Sequence, residues 1–380
     1  VVGGALWAAA RAMRVFVQTL GGAEVATLDA DPAWTLEEVR SRLGPAAGAA
    51  GCLHRFFRGT RELLPGLTLA SIGVTEGSQL SLVVTVAPRI ISASNDATAK
   101  IWDADTGECV CTLEEHEGFV ISAVFSPDAT LALTASYDGS AKIWSVESGT
   151  CLRSLEGHND YLRSAVFSPD GTLVLTASGD SNAKIFCIES GACLRTLQDH
   201  RALLSSAEFS SDGLLALTAS YDRTARIWCV ETGDCVGTLR GHKGFVNSAV
   251  FSPDAVLALT SSYDRTAKIW DVDSGECINT LAGHDDYLSS AVFSHDGTLV
   301  LTASGDGHAR MWHAETGDCV RTLVGHRDFL QSAVFSPGAA LALTASGDNT
   351  AKIWCIESGE CLRTLRGHDG AVNSATFAGQ

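Results

Sequence analysis

The sequence predicts a mainly β protein, in which a small α+β domain precedes a closed seven-bladed β-propeller. Two recurrences support this prediction. An aromatic residue, usually the tryptophan of "KIW", occurs every 42 residues from Trp102 to Trp354, and a histidine occurs every 42 residues from His116 to His368. Each 42-residue unit also contains four short strand-like segments, which is the pattern of a propeller blade. Residues 1–86 do not share the repeat.

The composition limits the classes of partner. The chain has 380 residues, 46% of them hydrophobic, and a formal net charge of −17. Residues 1–88 hold seven basic and seven acidic residues, whereas residues 89–380 hold 20 basic and 37 acidic ones. An acidic body repels phosphate backbones and anionic lipid, so we expect neither nucleic acid nor a membrane as a partner. No apolar run approaches the roughly 18 residues of a transmembrane helix.

Residues 1–12 precede both predicted domains. They are expected to be an unstructured upstream segment. Because Val1 is not methionine, we expect the chain to be a fragment or to begin upstream of Met13.

The next region, residues 13–86, is predicted to form a small α+β domain. "MRVFVQTL" and "AEVATLDAD" alternate as two strands of a hairpin. "TLEEVRSRL" indicates a helix whose capping box is Thr35 and Glu38. A strand is expected around "HRFFRG" and a last one in "SQLSLVV".

The propeller is predicted to occupy residues 87–380. In the unit 242–281, "FVNSAVFS", "VLALTSS", "TAKIWDV" and "ECINTL" indicate four strands, with Gly, Asp, Ser and Pro between them. Residues 89–113 supply only the last three strands of such a unit, and residues 371–377 supply only a first strand. Together they make one joint blade, which closes a ring of seven and leaves no open sheet edge.

The cysteines indicate the compartment. Seven of the 12 recur every 42 residues from Cys109 to Cys361, so successive copies lie one blade apart, too far to bridge. We expect them to be small buried hydrophobic residues in a reducing compartment. This favours a cytoplasmic location, with the nucleus as the alternative.

The repeat resembles the WD-repeat family over residues 89–380. Members of that family have a hydrogen-bonded His–Ser–Asp–Trp tetrad in each blade, and Phe186 replaces the tryptophan in one blade of this chain. His, Ser and Asp are also the residues of a catalytic triad. Because one ring would then hold up to seven copies of the same catalytic site, we expect structural tetrads and no enzyme. The resemblance assigns this role to His242, Ser262, Asp264 and Trp270 and, in the joint blade, to His368, Ser94, Asp96 and Trp102.

Residues 13–86 resemble ubiquitin and the ubiquitin-like domains. The match is strongest in "RELLPGLTLASIGVTEGSQLSLVV". The resemblance implies a β-grasp fold and a hydrophobic recognition patch at Leu20, Phe56 and Val83, which either packs against the propeller or binds a receptor. The domain has no terminal Gly-Gly and no lysine before Lys100, so we expect a built-in module that is not conjugated to other proteins.

All five tyrosines fall at two positions of the repeat. One position immediately precedes the tetrad aspartate and the other lies three residues after the tetrad histidine, and both are on loops at the same rim of a propeller. Tyrosine offers contact area and a hydroxyl and is enriched in binding hot spots. The residue that follows the second tyrosine position by two also differs from blade to blade. The alternative is that these rings only shield the channel mouth. We expect a partner-binding rim made of Tyr137, Tyr221, Tyr263, Phe119, Tyr161, Phe245, Tyr287, Phe329, Arg163, Asn247 and Gln331.

The predicted function is that of a non-catalytic scaffold or adaptor whose rim binds a peptide or protein. The ubiquitin-like module would link this cargo to ubiquitin or proteasome components. The alternatives are a substrate receptor of a ubiquitin ligase and a sensor fragment of a larger signalling protein. Substrate receptors of this kind often have an arginine two residues after Trp-Asp. Residues 103–105 and 271–273 contain no arginine, which weakens that alternative.

The sequence predicts no cofactor and no metal site. Outside the repeat pattern it has no phosphate-binding loop and no nucleophile elbow. His308 and His313 share one strand region, but under strand alternation they point to opposite faces.

Overall fold

A computed structural model describes residues 13–19, 24–43, 52–58, 61–62, 68–69, 71, 74–75, 78–86, 89–103, 106–336 and 338–377. The chain divides into two compact units, Val1–Ala87 and Pro88–Gln380. The segment 1–12 lies outside the described residues. Among those that are described, no helix is long and apolar enough to cross a membrane.

The N-terminal unit is a five-stranded sheet with one described helix. Its elements are β1 (Met13–Thr19), β2 (Glu24–Ala30), α1 (Leu36–Leu43), β3 (Cys52–Arg58), β4 (Arg61–Glu62) and β5 (Gln79–Val86). The strand order is β2-β1-β5-β3-β4, in which β1 and β5 are parallel and the other pairs antiparallel. Buried Val15, Val17, Val39 and Leu80 join sheet and helix in one core. The short strand β4 was not predicted.

The predicted capping box starts the helix. The backbone N–H of Thr35 donates to Oε2 of Glu38 over 2.7 Å, and the backbone N–H of Glu38 donates to Oγ1 of Thr35 over 3.4 Å. These two bonds satisfy N–H groups that have no partner inside the helix. The sequence therefore positioned the start of α1 correctly.

In its described residues, the C-terminal unit has seven four-stranded antiparallel sheets. Six are consecutive in sequence: β9 (Val120–Phe125) to β12 (Cys151–Leu155), β13 (Leu162–Phe167) to β16 (Cys193–Leu197), β17 (Leu204–Phe209) to β20 (Cys235–Arg240), β21 (Val246–Phe251) to β24 (Cys277–Ala282), β25 (Leu288–Phe293) to β28 (Cys319–Leu323), and β29 (Leu330–Phe335) to β32 (Cys361–Leu365). The second and third strands of these sheets are β10 (Leu131–Ser136), β11 (Ala141–Ser145), β14 (Leu173–Ser178), β15 (Ala183–Cys187), β18 (Leu215–Ser220), β19 (Thr224–Cys229), β22 (Leu257–Ser262), β23 (Thr266–Asp271), β26 (Leu299–Ser304), β27 (Ala309–His313), β30 (Leu341–Ser346) and β31 (Ala351–Cys355). The seventh joins β33 (Val372–Phe377) to β6 (Arg89–Ser94), β7 (Ala99–Asp103) and β8 (Cys109–Leu113). This architecture is consistent with a seven-bladed β-propeller.

The first strands of the sheets contact one another in a cycle: β9 contacts β13, and the contacts continue through β17, β21, β25 and β29 to β33, which contacts β9. A hydrogen bond repeats along this cycle. The backbone N–H of Ala249 donates to Oγ of Ser206 over 3.0 Å, and the backbone N–H of Ala123 donates to Oγ of Ser374 over 3.3 Å. The second of these bonds joins the C-terminal strand to the first complete sheet.

Adjacent sheets share their hydrophobic cores. In one cluster, buried Leu217 and Leu239 of one sheet pack with Phe251 and Trp270 of the next. Nearer the outer strands, Arg363 of β32 donates from Nη1 to the carbonyl of Thr106 over 3.4 Å. Because Thr106 lies between β7 and β8, this bond joins the last complete sheet to the joint sheet. Each sheet is therefore stabilised by its neighbours, and the joint sheet by both.

Each first strand has a β-bulge. Asn247, for example, is skipped between the pairs Val246↔Ser262 and Ser248↔Ser261. The bulge residues are the ones that differ from blade to blade: Ile121, Arg163, Ser205, Asn247, Ser289, Gln331 and Asn373. Bulges re-aim side chains and are common beside functional sites.

The prediction of buried cysteines was wrong. The seven cysteines spaced by 42 begin the outermost strand of each sheet, where Cys109, Cys193, Cys277, Cys319 and Cys361 are exposed and Cys151 and Cys235 half-buried. Periodicity identified the strand but not its outer position in the sheet. All the cysteines whose side chains the structure describes are free.

Candidate functional site: the channel and its rim

The tetrad that holds each blade differs from the predicted one at its hydroxyl. Nδ1 of His242 lies 2.8 Å from Oδ2 of Asp264, and Nε2 of His242 lies 2.7 Å from Oγ1 of Thr260. The indole N–H of Trp270 donates to the same Oγ1 over 2.8 Å. The hydroxyl between histidine and tryptophan therefore belongs to Thr260 and not to Ser262, which lies two residues later on β22.

Ser262 supports the aspartate. Its Oγ accepts the backbone N–H of Asp264 over 3.1 Å. The joint sheet needs the same correction, since Ser92, and not Ser94, lies 2.6 Å from Nε2 of His368 and accepts the indole N–H of Trp102 over 2.8 Å. Residues two apart on a strand share a face, so alternation could not separate these candidates.

The tetrad has no reactive hydroxyl. A carboxylate only accepts, so Nδ1 of His242 donates to Asp264, while Nε2 contacts the threonine hydroxyl. Asp, His and Thr then have the order of a catalytic triad, but Thr260 is only 1% exposed and its oxygen also accepts the indole N–H. A substrate could not reach it, which agrees with a structural role.

Five of the tetrad histidines, and the aspartates they contact, have shifted pKa values. Burial lowers the pKa of His116, although Asp138 acts in the opposite direction. Desolvation works to raise the pKa of Asp138, but hydrogen bonds from Ser140 and His116 outweigh it and lower that pKa. At neutral pH the pair is a neutral imidazole beside a carboxylate. Burial likewise lowers the pKa of His158, His284, His326 and His368.

One blade has an incomplete tetrad. His158 still contacts Oγ1 of Thr176 over 2.8 Å, but Phe186 has no N–H to donate. In the complete blade a Cβ placed on Gly241 would lie 3.2 Å from Cη2 of Trp270, whereas one on Gly157 would meet no atom within 4 Å. The phenylalanine therefore leaves the space that the larger indole ring fills elsewhere.

We expect Phe186→Trp to stabilise the protein by about 1 kcal/mol, because it fills this space and completes a buried hydrogen bond. Thermal unfolding should show Tm raised by roughly 2 °C. The reverse change Trp270→Phe is the matched control and should lower Tm by a similar amount. A lower Tm for Phe186→Trp would show that the blade cannot accommodate the indole.

A cavity of 1040 Å³ runs along the first strands of all seven sheets. Aromatic side chains line it at one end, and Pro127, Pro169 and His295, from the turns after three first strands, line the other. The next ring inward consists of serines one residue after each bulge, all lining the cavity: Ser122, Ser164, Ser206, Ser248, Ser290, Ser332 and Ser374. We call this cavity the channel.

The predicted rim aromatics cluster at the mouth of the channel. The rings of Tyr221 and Phe245 are stacked with centroids 4.5 Å apart, and those of Tyr263 and Tyr287 are stacked at 4.8 Å. On another part of the rim, the Tyr137 and Tyr161 rings lie 4.5 Å apart, and Phe119 lies 5.9 Å from Tyr137. The three pairs with centroids 4.5–4.8 Å apart each join two neighbouring blades, whereas Phe119 and Tyr137 belong to the same blade.

The rim aromatics differ in their surroundings. Five of them line the channel: Phe119, Tyr137, Tyr221, Tyr263 and Tyr287. Of these, Phe119 is 48% exposed, Tyr137 38% and Tyr263 44%. The other three predicted aromatics do not line it. Phe245, 41% exposed, stacks on Tyr221, while Tyr161 and Phe329 lie close over Gly179 and Gly347 in the position that a tyrosine side chain takes in other blades.

The three predicted polar residues are bulge residues that line the channel. Arg163 donates from Nη1 to the hydroxyl of Tyr137 over 3.1 Å, and Asn247 donates from Nδ2 to the carbonyl of Leu288 over 2.6 Å. Asn247 thus also joins two sheets, whereas Gln331 faces the channel. The structure therefore brings Arg163, Asn247 and Gln331 to one lumen together with five of the aromatics.

Glu208 is a channel residue that sequence reasoning missed. It lies on β17, two residues after the serine ring, and it is half-buried in the channel wall. Desolvation by the surrounding atoms raises its pKa to about 8. The signal was in the sequence, because every other blade has valine or threonine at this position.

The predicted patch on the N-terminal unit is only partly described. Phe56 lies on β3 and pairs with Leu82, and Val83 lies on β5 and pairs with Arg55. Leu20 and the side chains of Phe56 and Val83 lie outside what the structure describes. The two strands are adjacent in the sheet.

Repeated four-stranded sheets, six of the seven described ones held by a buried His–Asp–hydroxyl–Trp network, define a WD40-type propeller architecture. A comparison with protein families finds the WD domain, G-beta repeat, at residues 107–145, 149–187, 191–229, 233–271, 275–313 and 317–355. The chain belongs to the WD40 family. Its members generally act as scaffolds that bind protein partners and are typically not enzymes. Strands β6, β7, β32 and β33 lie outside the six matched segments.

Proposed function

We propose that this protein is a non-catalytic scaffold or adaptor, and that the rim of its propeller binds a peptide or protein segment at the mouth of the channel. One observation carries the proposal: aromatic side chains from several blades meet around the mouth of a 1040 Å³ cavity and remain partly exposed there. Clustered aromatics beside a concave surface are typical of binding hot spots.

Near-identical blades differ where they line the channel. Residues 158–180 and 284–306 differ at three of 23 positions, and two of these are Arg163/Ser289 and Pro169/His295. All four residues line the channel. Copies that share their core but differ in the lumen are expected when the lumen selects a ligand, and this supports the proposal.

The test is the variant Tyr137→Ala/Tyr221→Ala/Tyr263→Ala, used in an affinity pull-down with the whole chain as bait. We expect the wild-type partners to be lost, because truncating these rings removes contact area at the centre of the mouth, while Tm changes by no more than a few degrees. The matched control is Val236→Ala/Ile278→Ala/Leu362→Ala, which truncates three side chains that are 53–61% exposed on outermost strands.

Partners that persist with the rim variant would contradict the proposal. In that case Leu20→Ala/Phe56→Ala/Val83→Ala tests the N-terminal unit as the binding surface. Loss of the same partners from the outer-strand control would also contradict it, because the effect would then not be specific to the rim.

We propose further that the N-terminal unit is an integral, non-conjugated ubiquitin-like module that links the bound cargo to ubiquitin or proteasome components. Three features support the proposal: the strand order β2-β1-β5-β3-β4, the parallel central pair, and a helix that follows the first hairpin. The free cysteines of the outermost strands suit a reducing compartment, and we propose the cytoplasm as the location.

A further inference from the structure

Glu208 breaks the pattern of a ring inside the channel. Glu208 lies on β17 two residues after Ser206, which belongs to the serine ring. At the usual rise of a strand, this places it about 7 Å further into the channel. Five of the six equivalent residues are valine and one is threonine. They are Val124, Val166, Val250, Val292, Val334 and Thr376. Among the described residues of this ring, Glu208 therefore brings the one carboxyl group to the lumen, between side chains that are otherwise apolar except for Thr376.

The carboxyl group of Glu208 has no partner within the described part of the chain. No hydrogen bond or ion pair joins it to another described residue, and desolvation is the sole cause of its raised pKa. Strand β17 is packed against β13, β14, β18 and β21, and their one charged residue is Arg163. Arg163 lies at the mouth and donates to Tyr137 instead. A carboxyl group that faces the lumen without a partner in the described chain is open to a ligand in the channel, which makes it a candidate ligand contact.

The surrounding wall limits the chemistry of the ligand. A divalent cation needs about six oxygen ligands, and valine side chains supply none. In agreement, the described residues contain no group of three His, Cys, Asp or Glu side chains that could hold a metal. An alkyl chain with a terminal cation fits better, because its methylene groups would contact the valines and its charge the carboxylate.

We propose that the channel receives a lysine side chain from the partner segment bound at the rim, and that its ammonium group pairs with Glu208. The proposal rests on the proposed function of the rim and names the chemistry of its partner. A lysine whose backbone lies near the serine ring can extend four methylene groups past Val166 and Val250 to reach the carboxylate. The net charge of −17 favours the approach of a basic segment.

The test measures the binding of two synthetic peptides, acetyl-Gly-Ser-Lys-Ser-Gly-amide and the same peptide with norleucine in place of lysine. Norleucine keeps the alkyl chain and lacks the ammonium group. Isothermal titration at pH 8 should show that the wild-type protein binds the lysine peptide at least about tenfold more tightly, because a charge-assisted contact is lost with norleucine.

Glu208→Val is the informative variant, because five other blades have valine at this position and the channel wall tolerates it. We expect this variant to bind both peptides equally and to keep a Tm no lower than that of the wild type. Equal binding of the two peptides by the wild type, or a preference for lysine that survives Glu208→Val, would overturn the inference. Absence of binding to the wild type at millimolar peptide would overturn it too.

The two proposals fail separately. If the peptides are not discriminated while the rim variant still loses its cellular partners, the lysine inference is wrong and the binding role of the rim stands. If the lysine preference depends on Glu208 while the rim variant keeps its partners, the channel binds a cation but the rim does not select the partner.

Discussion

Removal of residues 368–380 is expected to abolish cooperative folding of the C-terminal unit. The deletion removes β33, whose Val372, Ala375 and Phe377 are 0%, 2% and 4% exposed, and leaves β6 as an unpaired edge. It also removes His368, so Ser92 and Asp96 lose their buried partner. Lost burial and broken hydrogen bonds together cost roughly 10 kcal/mol, which is as large as the stability of a typical domain.

Circular dichroism during heating measures this effect, with a chain that ends at Phe377 as the matched control. The control lacks only three residues beyond β33 and should melt like the full-length chain. Addition of a synthetic peptide of residues 366–380 should restore a cooperative transition, because the strand can be supplied by a separate molecule. A truncated chain that melts cooperatively within 5 °C of the full-length protein would contradict a ring closed by β33.

Acid is expected to destabilise the protein in two stages. Burial lowers the pKa of five tetrad histidines in the folded state, so the unfolded chain binds more protons below the ordinary pKa of histidine, about 6.5, and stability falls as the pH is lowered from there. The tetrad aspartates have lowered pKa values as well, so a second loss begins below about pH 4.

Thermal melts across the pH range check this expectation. Because several tetrads titrate together, Tm should fall by roughly 10 °C between pH 7.5 and pH 5. Glu208 acts in the opposite direction, since its pKa is raised in the folded state and its contribution to stability is lost as the pH rises from 4.5, the ordinary value, to about 8. The variant His295→Gln/His313→Gln is the control, because it changes two histidines outside the tetrads and leaves every tetrad intact, so the fall in Tm should persist. A Tm independent of pH between 7.5 and 5 would contradict the role assigned to the tetrads.

The repeat made most of the propeller predictable. Spacing by 42 identified the four strands of each unit, and the incomplete units at 89–113 and 371–377 indicated a joint sheet, which the structure forms from β33 and β6. The capping box of Thr35 and Glu38 was equally clear, because it depends on neighbours in sequence. Local patterns and exact repeats are the kinds of information that a single sequence contains.

Other features depend on which side chains meet in space. Alternation could not decide between Thr260 and Ser262, because both point to the same face of β22. The exposure of the repeated cysteines followed from the position of their strand in the sheet. The pattern of tyrosines indicated the rim, but the stacking of Tyr263 on Tyr287 across two blades required the geometry of the ring. The sequence shows that Glu208 replaces a residue that is valine in five other blades. That its side chain lines the channel became clear only from the structure.

The joint sheet also has a kinetic consequence during synthesis. Ser92 and His368, which meet in one tetrad, are separated by 276 residues of chain. A ribosome that adds 5–20 residues per second needs roughly 15 to 55 s to make the intervening polypeptide. Throughout that interval β6 presents a free hydrogen-bonding edge on the nascent chain, where strands of other molecules could add to it. Chaperones that shield this edge until the last strand is made would therefore raise the yield of folded protein.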